Sequence, residues 1–481
     1  MTWDAAVVGA GIGGLSCAGA LAARGARVLV LEQAASPGGY LASFRRGGFV
    51  FDAAVDCVAG LDPRGPLTGL LRSLGKDGVL APVRLDPIRL SRFPGLSVPV
   101  DASLPAYVER LSGLFPAERQ GIDAFFRRAD RIYADVEAMM EPLVEGRDGP
   151  ASIPSEILRY RGATYGELLG ESIRDVRLKA VLSDRCPFLG LPPRRVSAVG
   201  MVSLVMSYFR SGAWRPAGGH RRLADLLAEG IEERGGRVLL STRVDRIVLD
   251  GARSARVVTA RGEEFAARAV VSAVDPVQTF ARLVGGAPGA AALPGLAARN
   301  PSPSFFIVYI GAAGGPEGEG ASSIGSFGSF DLDRMLDGYV PFSGADPLGI
   351  TIPTVEDRSL APPGHHVYLV HELVPRGCAF DWAAGKSDLV ATMVGKAGRV
   401  IPGLESRIVH CEGATPATLE RYTGNRGGAA YGWEQLPALA RVRHGVPNLF
   451  MAGHWTETGG GVLAAACSGI RAAAGVLKEL S

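Results

Sequence analysis

The sequence predicts an α/β fold in which a domain on a parallel sheet is joined to a second, discontinuous domain of mixed α+β character. Three observations predict it. A short apolar run near the amino terminus is followed by a glycine-rich turn and an alanine-rich helix. A second apolar run then ends in an acidic residue. Two longer blocks flank a central group of β-rich runs, so the second domain is expected to come from two separate parts of the chain.

The first element is a strand followed by a tight turn. Residues 5–8 are apolar without polar alternation, as expected for a parallel strand buried on both faces. A G-x-G-x-x-G motif follows, and its candidate binding residues are Gly9, Gly11, Ile12, Gly13 and Gly14. In such a motif the first glycine permits the turn, the second lets the backbone approach a pyrophosphate, and the third allows helix–strand packing. The free N–H groups of the next helix would face the phosphates.

The second element is a strand over residues 27–31 that ends in Glu32. This carboxylate comes 23 residues after Gly9 (32 − 9), where it can accept a hydrogen bond from a ribose hydroxyl. Gln33 is placed beside it in the same site. An acid here disfavours the 2′-phosphate of NADP. Strand, glycine turn, helix and acid together predict a dinucleotide-binding site.

A glycine pair follows Glu32 and carries the first family resemblance. Gly38, Gly39 and Tyr40 complete an E-x5-GG arrangement. It resembles that of glutathione-reductase-like FAD proteins of the amine oxidase and phytoene desaturase kind. The resemblance implies that the cofactor is FAD and that this part is a glutathione-reductase-like FAD-binding Rossmann domain. It also implies that the glycine pair lies near the phosphates and the ribityl chain.

The middle of the chain contains a helix and a group of short strands. Residues 223–234 carry leucine and isoleucine at helical spacing. Beyond them, residues 238–240, 246–249, 255–260 and 265–274 are β-rich and predict a β-meander. The resemblance places this meander in the FAD-binding domain and implies that the backbone of Val244 contacts the adenine.

The remaining blocks define the expected domains. Residues 101–215 read as mostly helical, and residues 300–375 mix β-rich runs with glycine-rich connections. No internal repeat and no second G-x-G-x-x-G motif are present, so a separate NAD domain is not expected. The predicted FAD-binding domain comprises residues 1–60, 215–280 and 440–481. The predicted substrate-binding domain comprises residues 61–214 and 281–439.

The carboxyl terminus repeats the pattern of strand, glycines and helix. Residues 448–453 form a buried-strand pattern that ends in Gly453, and glycines at 459–461 open an apolar helix over residues 462–476. The positive end of that helix would stabilise negative charge on a reduced flavin. The candidates for that role are the backbone groups of Gly460, Gly461 and Val462. The alternative is an ordinary glycine-led loop before a core helix.

Further motifs extend the resemblance over nearly the whole chain. Four stretches resemble the phytoene desaturase, carotenoid isomerase and retinol saturase family: the G-F-x-F-D of residues 48–52, the P-A-G-G of residues 216–219, residues 413–416, and residues 422–427 with Tyr431 and Gly432 beyond. The resemblance implies an FAD-dependent oxidoreductase that dehydrogenates or isomerises an apolar polyene or isoprenoid by hydride transfer to flavin N5. Many relatives place an acid directly after the glycine matched to Gly453. This chain has His454, the candidate catalytic residue.

Two other functions stay open at this point. One is a natural-product tailoring flavin oxidase or dehydrogenase that acts on a C–N or ring C–C bond. The other is a non-enzymatic prenyl-binding escort of the same fold, against which the E-x5-GG motif and the glycine-fronted helix speak. Seven aromatic side chains line a substrate tunnel or belong to the core: Tyr208, Phe209, Trp214, Phe305, Phe306, Tyr309 and Trp433.

Composition limits the partners. The net charge of +3 (51 − 48) excludes a chain-wide polyanion binder, so no nucleic-acid partner is expected, and the expected partner is a small hydrophobic substrate. The six cysteines form no CxxC pair, which predicts no disulfide framework, no metal site and a reducing cytoplasm. Residues 5–23 lack charge, but Asp4 before them and five glycines within them argue against a membrane span or signal peptide. Peripheral membrane contact follows from the substrate class alone, and the oligomeric state stays open.

Overall fold

The computed structural model describes residues 2–144, 152–249, 254–315, 320–337, 342, 347–438 and 444–480. The strands within these residues are β1 Trp3–Val8, β2 Val28–Leu31, β3 Ser43–Arg46, β4 Phe49–Asp52, β5 Pro82–Arg84, β6 Arg89–Phe93, β7 Leu96–Val100, β8 Trp214–Pro216, β9 Arg237–Leu239, β10 Val244–Leu249, β11 Ala255–Thr259, β12 Glu264–Ser272, β13 Ser304–Ala313, β14 Ser323–Ser326, β15 Leu348–Thr351, β16 His365–Val374, β17 Ile408–Ala414 and β18 Leu449–Met451.

The helices within the same residues lie between and around these strands. They are α1 Ile12–Ala22, α2 Pro66–Ser73, α3 Leu104–Leu114, α4 Arg119–Val144, α5 Ser155–Tyr160, α6 Tyr165–Gly170, α7 Val176–Leu182, α8 Ala198–Ser211, α9 Arg221–Glu233, α10 Pro276–Gln278, α11 Gly286–Ala297, α12 Leu332–Asp337, α13 Trp382–Val400, α14 Pro416–Thr423 and α15 Val462–Leu480. The predicted helical character of residues 101–215 is confirmed, since α3 to α8 lie there.

The first sheet has the strand order β10-β11-β12-β1-β2-β9, and β18 pairs with β12. Its central strand β1 runs parallel to both β2 and β12. Ala5, Ala6 and Val7 at its centre are fully buried, as the unbroken apolar run predicts for a strand covered on both faces. Helices α1 and α15 contribute to the core on one face of this sheet. The expected α/β arrangement is confirmed.

The predicted meander is confirmed in part. Strands β10, β11 and β12 follow one another in antiparallel pairs. The first of the four β-rich runs, which forms β9, lies instead at the opposite edge and runs parallel to β2. Strand β9 directly follows helix α9, which packs in one core with α1, so β9 enters the sheet beside β2 rather than next to β10.

The second sheet has the order β17-β13-β16-β15-β14-β6-β7. Its longest pair is β13 with β16, whose register places Ile307 opposite His371. Alternate residues of β13 face opposite sides. Phe306, Val308 and Ile310 pack in one core with α13, whereas Ile307 and Tyr309 pack on the other face with β4. That second face continues toward the cavity described below.

The amino-terminal run without charged residues is part of the first sheet. Residues 5–23 form most of β1, the glycine turn and α1. Among the helices of the described ranges, none combines the length and the apolar character that crossing a membrane requires.

Candidate functional site

One large cavity reaches from the glycine turn of the first sheet to the second sheet. Of the sixteen residues predicted for binding or catalysis, fourteen line it. These are Gly9, Gly11, Ile12, Gly13, Glu32, Gln33, Gly38, Gly39, Tyr40, Val244, Gly453, His454, Gly461 and Val462. The other two, Gly14 and Gly460, do not line the cavity. Residues far apart in the sequence therefore meet at one site.

The glycine turn forms the floor of one end of this cavity. A Cβ atom on Gly11 would meet no protein atom within 4 Å, so the open space begins directly at its backbone. Gly14 faces the other way, and a Cβ atom there would overlap the carbonyl oxygen of Gly9. This arrangement agrees with the predicted division of roles between an exposed glycine and a packing glycine.

Glu32 lies where β2 ends at the cavity. Its carboxylate accepts hydrogen bonds from the backbone N–H of Ala10 at 2.7 Å and of Ala34 at 2.8 Å. Burial raises the pKa of Glu32, while the backbone hydrogen bonds oppose that rise. The backbone N–H of Thr242 donates to the Glu32 carbonyl oxygen at 2.7 Å, which brings Val244 to the same end. Glu32, predicted to contact the ribose, and Val244, predicted to contact the adenine, therefore lie at the same end of the cavity.

The Gly38–Gly39 pair closes the turn from the opposite side. The N–H of Gly38 donates to the carbonyl oxygen of Ala10 at 2.8 Å, which joins the two glycine segments. Tyr40 extends from this pair into the wall, and its hydroxyl lies 3.0 Å from the carbonyl oxygen of Ala429. Burial raises the pKa of Tyr40 to about 12, so the hydroxyl remains protonated at neutral pH.

The carboxyl-terminal glycines complete the wall. A Cβ atom on Gly13 would lie 2.5 Å from the Cα of Gly453, so the two glycines allow close contact between the two ends of the chain. Gly453 and Gly461 have φ of 92° and 103°, and a Cβ atom on either would meet no protein atom within 4 Å. Gly460 was predicted to face the same space but does not line the cavity. Its Cα packs against Tyr431, and a Cβ atom on Gly460 would lie 2.5 Å from the tyrosine Cβ.

His454 lies in the wall beside Tyr40, with 6.1 Å between the ring centroids. Its Nε2 is 3.2 Å from Oδ1 of Asn425, which also accepts a hydrogen bond from Nε1 of Trp455 at 2.8 Å. Because a carbonyl oxygen only accepts, His454 Nε2 carries the hydrogen. Burial lowers the pKa of His454 to about 4, so its imidazole is neutral at pH 7. Asn425 falls within residues 422–427, a stretch that resembles the same family, but the sequence assigned it no role.

The second half of the cavity is mainly apolar. Of the seven aromatic residues predicted for a tunnel or the core, Tyr208 and Phe305 line it, whereas Phe306 and Trp433 are buried elsewhere. The apolar wall of this half, here called the apolar arm, consists of Pro187, Phe188, Leu189, Leu204, Phe305, Ile307, Phe327, Leu348 and Leu373. Such a surface binds an apolar ligand by the hydrophobic effect.

Two charged residues and one histidine lie among the residues of the apolar arm: Asp56, Arg89 and His371. Asp56 is buried and accepts hydrogen bonds from Ser323 at 2.8 Å and Thr351 at 3.0 Å. Burial lowers the pKa of His371 to about 4, so its ring is neutral at pH 7. Arg89 and His371 were not predicted, because strand periodicity does not indicate which polar side chains become buried.

Two further histidines have structural hydrogen-bond partners, and the cysteines form no disulfide. His220 Nδ1 is 2.8 Å from the Asp52 carboxylate, and His366 Nδ1 is 2.9 Å from the Thr354 hydroxyl. The six cysteines are all free thiols. Across the part of the chain that the structure describes, no group of three or more His, Cys, Asp or Glu residues is arranged to hold a metal ion.

Comparisons with known proteins agree with this geometry. Residues 12–279 match the family model described as flavin containing amine oxidoreductase. The chain is 26% identical over 522 residues to prolycopene isomerase 2 of an Oncidium hybrid cultivar, covering 99% of this chain and 84% of that protein. It is 26% identical to a lycopene-forming phytoene desaturase of Pseudescherichia vulneris, covering 98% and 99%. Its fold is similar to that of cyclohexylamine oxidase from Brevibacterium oxydans, with a TM-score of 0.63, 17% identity and full coverage of both chains.

Proposed function

Because the chain belongs to the family of flavin-containing amine oxidoreductases, we propose that it dehydrogenates or isomerises an apolar polyene or isoprenoid. It is an FAD-dependent oxidoreductase. The observation that carries the substrate proposal is the apolar arm, which continues directly from the glycine-lined end of the cavity. The names of the two similar enzymes, an isomerase and a desaturase that act on carotenoids, support the same substrate class.

The residues at the glycine-lined end fit FAD. Three glycines from both ends of the chain, Gly11, Gly453 and Gly461, present backbone to the cavity where a Cβ atom would meet no protein atom. We propose that the turn at residues 9–14 holds the pyrophosphate and that Glu32, with Gln33 beside it, holds a ribose. In the same proposal, the glycine pair before Tyr40 lies by the phosphates and ribityl chain, and Val244 lies against the adenine.

We also propose a subclass of the fold and a division of the chain into two domains. The FAD-binding domain is of the glutathione-reductase-like kind and comprises residues 1–60, 215–280 and 440–481, and the substrate-binding domain comprises residues 61–214 and 281–439. The membership of the sheets supports this division. Every strand of the first sheet falls in the first set, and every strand of the second sheet falls in the second.

When bound, the flavin would accept a hydride or an electron pair from a substrate C–H bond. The chain's own groups prepare the site for that chemistry. The N-terminus of α15, at Gly461 and Val462, directs free N–H groups and a positive dipole end into the cavity, where they stabilise negative charge. The apolar arm excludes water. His454, neutral and hydrogen-bonded to Asn425, contributes a fixed polar wall there rather than a cation.

Location is part of the proposal. We place the enzyme in a reducing cytoplasm, in contact with a membrane surface from which an apolar substrate is taken. Six free thiols support the reducing compartment.

The test is anaerobic reduction of the bound flavin, followed by its absorbance near 450 nm, which is roughly where oxidised flavins absorb. We expect a polyene or isoprenoid in detergent micelles to bleach the flavin or to be recovered as a different double-bond isomer. Amines and cyclic metabolites should do neither. If amines bleach the flavin and polyenes are returned unchanged, the proposal is wrong.

Two variants test whether the substrate binds in the apolar arm of the cavity. Leu204→Trp places a large side chain in the apolar arm and should abolish polyene turnover while the flavin spectrum stays unchanged. Leu158→Trp, at a side chain that is 51% exposed on α5, is the matched control and should react as the wild type does. Equal turnover by both variants would exclude the apolar arm as the substrate site.

A further inference from the structure

A buried guanidinium interrupts the apolar arm and has no hydrogen-bond partner for one of its donors. We propose that Arg89 is a substrate-binding residue that receives an oxygen-bearing end of the apolar substrate, namely a carbonyl oxygen of an aldehyde or carboxylate. This inference rests on the proposed function, because it concerns the same cavity and narrows the substrate from a pure hydrocarbon to an oxygenated isoprenoid.

The position of Arg89 is the first argument. It opens strand β6, lines the cavity and is only 3% exposed. The neighbouring strand β14 makes room for it, because a Cβ atom on Gly325 would lie 2.6 Å from Arg89 Nε and 2.7 Å from its Cζ. A glycine on the next strand, Gly349, leaves room for the ring of His371 in the same way. Paired glycines thus hold two polar side chains at one place in an otherwise apolar wall.

The second argument is the unsatisfied donor. Arg89 Nε is buried and has no hydrogen-bond partner. Its ion-pair partner Asp184 lies 3.8 Å away, beyond hydrogen-bond distance. Burial and the nearby charge of Arg185 lower the pKa of Arg89 to about 10, which leaves the guanidinium charged at neutral pH. Leaving a buried guanidinium without a full set of partners is costly, so a ligand oxygen that accepts from the part of it lining the cavity would bind favourably.

The nearby acids do not satisfy this donor. Asp184 is shared, since it accepts a hydrogen bond from Ser91 and lies 3.8 Å from Nε of Arg185 as well. Asp56 is held by Arg215 at 3.2 Å in addition to its two hydroxyl donors. Arg215 also pairs with Glu356. Asp184 therefore serves two guanidiniums and lies too far from Arg89 Nε to satisfy that donor.

The surroundings define the ligand. A guanidinium donates hydrogen bonds and accepts none, so its partner must present an acceptor oxygen. The Arg89 guanidinium lies over the ring of Phe188, with 5.0 Å from Cζ to the centroid, and Phe327 and Leu348 line the same cavity. The rest of the ligand is therefore apolar. An unsaturated aldehyde or acid with an isoprenoid chain combines both properties.

Three probes with one C15 skeleton test this on the oxidised holoenzyme: farnesoic acid, farnesal and farnesene. Their dissociation constants are measured by calorimetry in the same detergent. We expect wild type to bind at least one oxygenated probe about 10- to 100-fold more tightly than the hydrocarbon, the range for a hydrogen bond to a buried charged group. Preference for the acid over the aldehyde identifies a carboxylate, and equal binding identifies a neutral carbonyl.

Two variants test whether Arg89 causes the preference for the oxygenated probes over farnesene. Arg89→Met should bind all three probes with similar affinity and keep the farnesene affinity of wild type. Arg185→Met is the matched control, because Arg185 belongs to the same ion cluster but does not line the cavity, and it should retain the preference. Melting temperature and flavin absorbance verify folding. If Arg89→Met does not accumulate, Arg89→Lys keeps the charge, loses the Nε donor and should show a reduced preference.

The outcomes separate this inference from the function on which it rests. Equal affinity of wild type for all three probes, or a preference that survives in the Arg89 variant, overturns the inference and leaves the apolar substrate proposal standing. If none of the three probes binds the holoenzyme, the proposed isoprenoid substrate class fails, and the inference fails with it.

Discussion

The carboxylate of Glu32 is already organised before any ligand is considered. Each of its oxygens accepts one backbone N–H, from Ala10 at 2.7 Å and from Ala34 at 2.8 Å. The backbone N–H of Gln33 also contacts this carboxylate, and since a carboxylate offers about four acceptor sites, some capacity remains. The side chain thus has two roles. It fixes the glycine turn against the end of β2, and it presents free acceptor capacity to a hydroxyl group in the cavity.

The buried ring of His371 makes stability depend on pH. Its pKa falls from the usual value near 6.5 to about 4 because the cavity wall desolvates it. Between these two values the unfolded chain binds a proton that the folded protein does not. The contribution of the neutral His371 ring to the free energy of unfolding is therefore fully present above about pH 6.5. It decreases as the pH falls towards 4, by at most about 1.4 kcal/mol per pH unit for one proton.

The variant His371→Gln should remove that contribution. We expect its unfolding free energy, measured in urea with excess FAD at pH 7 and at pH 5, to fall less than that of wild type over the same interval. The control is His365→Gln, at the start of the same strand and outside the cavity, which should fall as wild type does. Identical pH dependence in wild type and His371→Gln would show that His371 is not held neutral by burial.

Residue roles set by local sequence were predictable, and those set by distant packing were not. Gly11 and Glu32 belong to a motif whose spacing determines their positions, and both line the cavity. Arg89 and Asn425 become site residues only because the second sheet and the segment after α14 reach the cavity. Nothing within a few residues of Arg89 distinguishes it from a solvated side chain, and the family-like stretch around Asn425 does not indicate which of its side chains faces the cavity.

At the scale of elements, the contact between α1 and α15 includes a close backbone approach at Gly469. A Cβ atom on Gly469 would overlap the carbonyl oxygen of Gly13 and lie 2.9 Å from the backbone nitrogen of Cys17. The two helices, from opposite ends of the chain, therefore approach at backbone distance. This contact positions the N-terminus of α15 beside the glycine turn.

The variant Gly469→Ala should push the helices apart. We expect the unfolding free energy to decrease by about 1–3 kcal/mol, as for other overpacked cores, and the flavin to be bound more weakly. Gly395→Ala in α13 is the control, because a Cβ atom there meets no protein atom within 4 Å. It should leave stability unchanged or raise it by up to about 1 kcal/mol. Equal effects in urea unfolding would contradict the close-contact account.

The sequence predicted elements with a strong local pattern and missed elements without one. Strands β10 to β12 appear as β-rich runs separated by turns, and they pair as expected. Strand β9 has the same composition, yet it pairs with β2, because the preceding helix α9 packs in one core with α1. Strand β14 reads Ser-Ile-Gly-Ser, in which no alternation is visible, and its pairing with β6 and β15 depends on tertiary contacts.

At the scale of the whole molecule, the two ends of the chain form one binding surface. The glycine turn after β1 and the glycines before α15 meet where Gly13 lies against Gly453. The second sheet adds the apolar arm to the same cavity. A ligand with a phosphate-bearing part and a planar ring would therefore contact both ends of the chain and bring its ring towards the apolar arm.

The most direct test of this account is the FAD affinity of Gly11→Ala, measured by titrating the apoprotein with FAD. Gly11 has φ −70°, so alanine fits its backbone without strain, and the added Cβ meets only the space assigned to the cofactor. We predict normal thermal unfolding of the apoprotein and about 10- to 100-fold weaker FAD binding, with wild-type affinity in the control Gly69→Ala on α2. Unchanged FAD affinity in Gly11→Ala would contradict the account.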